Sequence, residues 1–148
     1  MKKIFVLLFA LVITFSFAAC DDLDDNVSNN FKSSNKDSVL VYDAENVKIY
    51  YTGTTEDFGV GEGLAFLVEN SRSENIIVNM SEASYNDTMS AIIQPQMPLN
   101  IITSGKKSTQ TFVFSNQKFN GGRVQFKFLI LNENFNELFT TDFLEITL

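Results

Sequence analysis

Val124-Gln125-Phe126-Lys127-Phe128-Leu129-Ile130 puts an apolar side chain at every second position, with Gln125 and Lys127 between them. That period of two is the pattern of a β-strand with one buried face, whereas a helix repeats at three and four. The same period recurs on both sides of it. Val47, Ile49 and Tyr51 alternate with Lys48, Tyr50 and Thr52, and Leu64, Phe66 and Val68 alternate with Ala65, Leu67 and Glu69. Ile76, Val78 and Met80 follow, then short runs from Met89 to Ile93 and from Leu99 to Ile102. Phe112 and Phe114 sit beside Thr111 and Val113, and Leu144, Ile146 and Leu148 close the chain. No stretch sustains a helical stripe, so there is no crossover helix and no parallel α/β fold.

Turn residues fall between these runs. Gly59-Val60-Gly61-Glu62-Gly63, Asn70-Ser71-Arg72-Ser73-Glu74-Asn75, Asn86-Asp87, Ser104-Gly105-Lys106-Lys107, Asn120-Gly121-Gly122 and Asn132-Glu133-Asn134 each mark a reversal. Pro95 and Pro98 exclude a central strand between them. About seven to nine short strands at this spacing predict an all-β, antiparallel immunoglobulin-like β-sandwich over residues 39–148.

Composition narrows the chemistry. The 148-residue chain has no histidine, no tryptophan and one cysteine, which excludes an imidazole-activated nucleophile, an imidazole-based metal site and an internal disulfide. A net charge of -7 argues against a nucleic-acid partner, which needs a basic patch. Of the 15 phenylalanines, Phe5, Phe9, Phe15 and Phe17 precede Cys20; the others are available to fill the space between two sheets.

The first residues differ from all that follows. Lys2 and Lys3 precede a nearly unbroken apolar stretch from Ile4 to Phe17, ending in Ala18-Ala19-Cys20, as in a secretory signal. The segment is marginal as a permanent span, which needs about 20 apolar residues. Residues 21–38 have only Leu23, Val27 and Phe31 as apolar side chains and read as a flexible tether. The Asp21-Asp22-Leu23-Asp24-Asp25 run is either a sorting signal or a solvated spacer.

Phe17-Ala18-Ala19-Cys20 resembles the lipobox of bacterial lipoproteins, although Phe17 stands where an aliphatic residue is usual. The resemblance implies cleavage before Cys20, a diacylglycerol on its thiol, and a chain divided into a signal peptide (1–19), a lipidated cysteine and tether (20–38), and a folded body (39–148). Ordinary cleavage near Ala18 or Ala19 would instead leave Cys20 as a free thiol. The body adds a second likeness. Leu67-Val68-Glu69-Asn70-Ser71, Ile76-Ile77-Val78, the turn at Ser84-Tyr85-Asn86, and Gly105-Lys106-Lys107 before Thr111-Phe112-Val113-Phe114 form an ordered set. It resembles the telokin-like, immunoglobulin-like domains of uncharacterised bacterial lipoproteins, a resemblance that implies fold and location and carries over no catalytic residue.

Three motifs suggest chemistry and each has a plainer use. Glu56, Asp57, Glu62 and Glu69 could supply an acid–base carboxylate pair, but most lie in a polar, glycine-bearing loop. The Gly59–Gly63 stretch lacks the following helix of a phosphate loop. Asn132-Glu133-Asn134-Phe135-Asn136-Glu137 spaces oxygen atoms as a calcium loop would, but Phe135 interrupts it and a hairpin turn fits better. The expected protein is therefore a non-catalytic, lipid-anchored binding or interaction module facing outward from a bacterial cell envelope, without metal or cofactor. Its partners are the membrane, through the N-terminal lipid, and an envelope protein. The alternative is a glycan- or peptide-binding surface lipoprotein using exposed tyrosines and end loops. Tyr50 and Tyr85 are the candidate aromatics, Glu56 and Asp57 the candidate loop acids, and residues 53–63 and 70–75 the candidate loops.

Overall fold

A computed structural model describes residues 38–56, 59–94 and 101–148, and all regular structure among them is β. The strands are β1 (Val39–Ala44), β2 (Val47–Thr55), β3 (Gly63–Asn70), β4 (Ile76–Tyr85), β5 (Thr88–Met89), β6 (Ile92–Ile93), β7 (Ile101–Ile102), β8 (Lys107–Phe114), β9 (Arg123–Asn132), β10 (Glu137–Thr140) and β11 (Leu144–Thr147). One sheet runs β1-β2-β3-β8-β6 and the other β10-β9-β4-β5, with β11 also on β9 and β7 on β4. The strand pairings within both are antiparallel. Taken as A, B, E and D, strands β2-β3-β8-β6 have the order of one immunoglobulin sheet, and β4-β9-β10 that of C, F and G. The molecule is an immunoglobulin-like sandwich with one extra edge strand, β1.

Eleven strands exceed the expected number because several are fragments. β10 and β11 run down the same edge of β9, against Leu131–Leu129 and Phe126–Arg123 respectively. Buried Thr141 bridges the break: its N–H donates to Phe128 O at 2.9 Å and its hydroxyl accepts from Phe128 N at 3.0 Å. Two strands have no counterpart among the runs read from sequence, β10 and β1, and the Val-Leu-Val-Tyr run of β1 shows no alternation. β1 reaches β2 through Glu45 and Asn46, at φ 53° and 60°, a two-residue turn with both φ positive and no glycine to announce it.

The core is aromatic. Phe66 of β3 lies 5.4 Å from Phe126 and 5.3 Å from Phe128 of the opposite sheet, and 5.9 Å from Phe112 beside it. All four are fully buried and meet edge to face, the geometry that ring quadrupoles favour. Phe66 on the B-equivalent strand and Phe126 and Phe128 on the F-equivalent strand thus join the two strands that a disulfide links in antibody domains. The rings need no hydrogen-bond partner, so the centre of the sandwich is filled without a polar cost.

β4 carries a feature that governs one end of the molecule. Ser81 pairs with Lys127 and Ser84 with Gln125, so Glu82 and Ala83 together oppose Phe126 in a β-bulge. Glu82 has φ 47°. Before the bulge Ile76, Val78 and Met80 face the core; after it Ala83 and Tyr85 do. The extra residue shifts the inward phase by one.

Candidate functional site

The strand directions sort the loops into two groups. β1 begins at what we term the lower end and rises; the 45–46 turn, the 71–75 loop, the 103–106 turn and the 133–136 loop gather at the upper end. The 59–62, 86–87 and 115–122 connections lie at the lower end.

At the upper end Asn70, 1% exposed, joins several loops. Its N–H donates to Lys106 O and its carbonyl accepts from Gly105 N. Its side-chain amide donates to Glu74 O and Ile102 O, both at 2.9 Å, and its side-chain oxygen accepts from Arg72 N at 3.0 Å. Every polar group of this buried asparagine is thus satisfied, as burial requires. Arg72 extends the network. Its guanidinium donates to Glu45 O at 3.0 Å and Glu74 Oε1 at 2.9 Å, and lies 5.7 Å from the centroid of Phe139, on which Tyr42 stacks. Burial raises the Tyr42 phenol above its ordinary value, with Glu45 adding to the rise. Ser104 donates its hydroxyl to Arg72 O, and Asn75 donates to Glu133 at 2.9 Å.

The 133–136 loop is built on Asn132, whose side-chain oxygen accepts from Asn134 N and Asn136 N, both at 3.0 Å. Because that oxygen faces two donors, the loop is a braced hairpin tip and not a cation cradle. Phe135 stands on the tip, 55% exposed and at φ 62°. A bulky residue held left-handed is strained by roughly 1–2 kcal/mol. Between the loops Ser73, Glu74, Asn75, Asn132, Glu133 and Asn134 line an open polar hollow of about 340 Å³.

The lower end is closed by rings. Tyr85 packs on Phe119 at 5.2 Å, and Phe119 on Phe114 at 5.2 Å. The Tyr85 hydroxyl donates to Gly121 O at 2.6 Å and accepts from Asn120 N at 3.1 Å. Glu62 accepts from Phe119 N at 2.7 Å. Gly61 lies so close to β8 that a Cβ there would collide with Phe114 O.

The structure thus scatters the residues singled out from sequence. Tyr50 points outward from the middle of β2, partly exposed and between Leu40 and Leu67 in register. Tyr85 is a clamp of the lower end, with its hydroxyl committed to two backbone groups. Tyr42 and Tyr51 pack against the core, so the four tyrosines form no shared platform. Glu56 is exposed directly after β2, at the lower end, while Asp57 lies outside the described residues, as does Cys20. Glu69 pairs with Lys107 on the outer sheet face, away from Glu62. The described residues of the 53–63 loop and those of 70–75 lie toward opposite ends. Sequence reading missed Asn70 as a keystone, Arg72 and Phe135; the Asn-Ser corner after an apolar strand was the available signal for the first.

No protein-family model matches the chain, and no curated protein matches it. Among solved structures it is similar to the GAE domain of GGA2p from Saccharomyces cerevisiae, with 15% identity over 75% of this chain and 96% of that one and a TM-score of 0.48. It is also similar to a yeast GGA1 GAE domain, with 10% identity, 74% and 97% coverage, and a TM-score of 0.42.

Proposed function

We propose that the protein is a non-catalytic interaction module of a bacterial cell envelope, held to a membrane by a lipid on Cys20 and facing the extracytoplasmic side. Residues 1–19 serve as the lipoprotein signal, 20–38 as the tether and 39–148 as the presented domain. The Ala18-Ala19-Cys20 site after an apolar segment supports the anchor. The observation that carries the presenting role is direction: β1 enters at the lower end, so the braced loops of the upper end lie farthest from the tether. A rigid loop cluster with one exposed aromatic suits docking of a protein partner, since little ordering entropy remains to be lost on binding. Of the acids considered for acid–base work, Glu69 is paired with Lys107 on the outer sheet face and Glu62 accepts from Phe119 N at the lower end, so these two do not form a pair.

Photo-crosslinking in the native host tests this reading, with the reactive group placed in turn at Phe135 and at Val60, and Cys20→Ala as control. One recurrent protein captured from Phe135, absent from Val60 and lost with Cys20→Ala, is the expected result. Equal capture from both ends would refute the upper end as the docking surface. Failure of Cys20→Ala to release the protein from membranes would refute the anchor.

A further inference from the structure

The outer face of the β1-β2-β3-β8 sheet carries two rows of side chains in direct cross-strand register. Asp43 pairs with Lys48, Lys48 with Glu69, and Glu69 with Lys107, a row of alternating charge across four strands. Its ion pairs include Lys48–Asp43 at 3.1 Å and Lys107–Glu69, and the hydrogen bond and charge of Asp43 raise the Lys48 ammonium above its ordinary value. The next row is Leu40, Tyr50, Leu67 and Thr109, with Leu40 48% exposed. These residues point outward because their neighbours Tyr42, Val47, Ile49, Val68 and Phe112 face the core.

The order of the charges is antisymmetric, and that selects an occupant. A two-fold axis lying in this face along the strands reverses the row, so Asp43 of one copy meets Lys107 of the other and Lys48 meets Glu69. The same operation lays Tyr50 on Leu67 and Leu40 on Thr109. An axis along the row would instead set each charge against itself, which repulsion forbids. The geometry points to this face as an isologous contact with a second copy of the chain, its two-fold axis parallel to the strands.

That axis keeps both copies pointing the same way. Both Val39 ends then leave on one side and both upper ends on the other, as two chains tethered to one membrane require; this last point rests on the anchor proposed above, whereas the pairing itself does not. Four strands span about 14 Å, and the two rows cover about 300 Å² per copy, less than a freely diffusing dimer needs. The contact therefore suits chains already concentrated on one surface.

The test uses full-length chains in host membranes, co-expressed with different tags and treated with a short bismaleimide. Leu40→Cys chains mixed with Thr109→Cys chains should cross-link to each other, while either alone should give only the background of the unmodified chain. Lys107→Glu should lower the cross-link about tenfold, since two attractions become repulsions. Adding Asp43→Lys to Lys107→Glu should restore it, although within one sheet that pair of changes sets a second ammonium beside Lys48 and a second carboxylate beside Glu69. A role confined to pairing inside one sheet forecasts a further loss instead. Cross-linking of Leu40→Cys with itself at the mixed level, indifference to Lys107→Glu, or no rescue by the double reversal would each overturn the proposal. Repeating the mixture with Cys20→Ala separates the two readings. The same cross-links from detached chains would support the pairing and overturn only the anchor's part in it.

Discussion

At the upper end asparagine and arginine side chains tie three connections to one another through backbone carbonyls and amides, the 45–46 turn, the 71–75 loop and the segment from Ile102 into the 103–106 turn. At the lower end Tyr85, Phe119 and Phe114 stack into a plug over which Gly61 and Gly121 pass closely. Polar bracing leaves the outer surface of a loop free while fixing its shape; an aromatic plug consumes its own surface. The upper end thus keeps a fixed and accessible loop surface, while the lower end is closed by its own rings.

The largest effect expected from breaking it comes at the lower end. Gly61→Ala should destabilise the fold by about 3 kcal/mol, since the new methyl meets a backbone oxygen that cannot move aside. Chemical denaturation measures it, and a change under about 1 kcal/mol would mean that the 59–62 segment is not pinned. Asn70→Ala should cost about 2–3 kcal/mol by orphaning buried partners, and should speed hydrogen exchange at Ser104–Lys106 without altering Asn120 or Gly121. Equal exchange at both ends would show that they are one cooperative unit.

Smaller changes sharpen the contrast. Tyr85→Phe should cost about 1 kcal/mol, the loss of a hydroxyl with two backbone partners, with thermal melting as the readout. Phe135→Gly should leave stability unchanged or raise it by up to about 1 kcal/mol by relieving the left-handed strain, while weakening partner capture at the upper end. Loss of stability in that variant would mean that the ring packs on the domain and is not displayed. Burial raises the Tyr51 phenol above its ordinary value of 10.0. Its contribution is full below that pH and is lost as pH rises through the higher folded value. Tyr51→Phe should accordingly flatten the alkaline fall in stability.

Most of the fold was legible because the buried faces of β3 and β9, and of β4 as far as its bulge, obey the two-residue period, Val124 to Ile130 above all. The aromatic core followed from phenylalanine in those inward positions. What escaped reading depends on contacts distant in sequence. β1 lacks alternation because its register against β2 shifts between Leu40 and Tyr42, leaving Val41 as an extra residue. Asn70 looks like any turn residue until Ile102 O and Lys106 O, more than thirty residues away, are seen to meet it. Tyr85 reads as an outward aromatic if β4 is counted without its bulge, since Ile76, Val78 and Met80 put odd positions outside. The charge row, by contrast, could not be read at all before four strands were set in register.

The bulge at Glu82 and Ala83 has one consequence for how this chain tolerates change in length. The two halves of β4 are like text written in different reading frames, and Glu82 is the inserted letter between them. Deleting that letter alone would merge the frames: Ala83 would stand singly opposite Phe126, and Tyr85 would keep its place over the lower end. Deleting Asn79 instead would send Met80 out of the core, because no spare residue lies on that side to absorb the loss. One exposed glutamate thus marks the point on this strand where the chain can shorten without changing its sense.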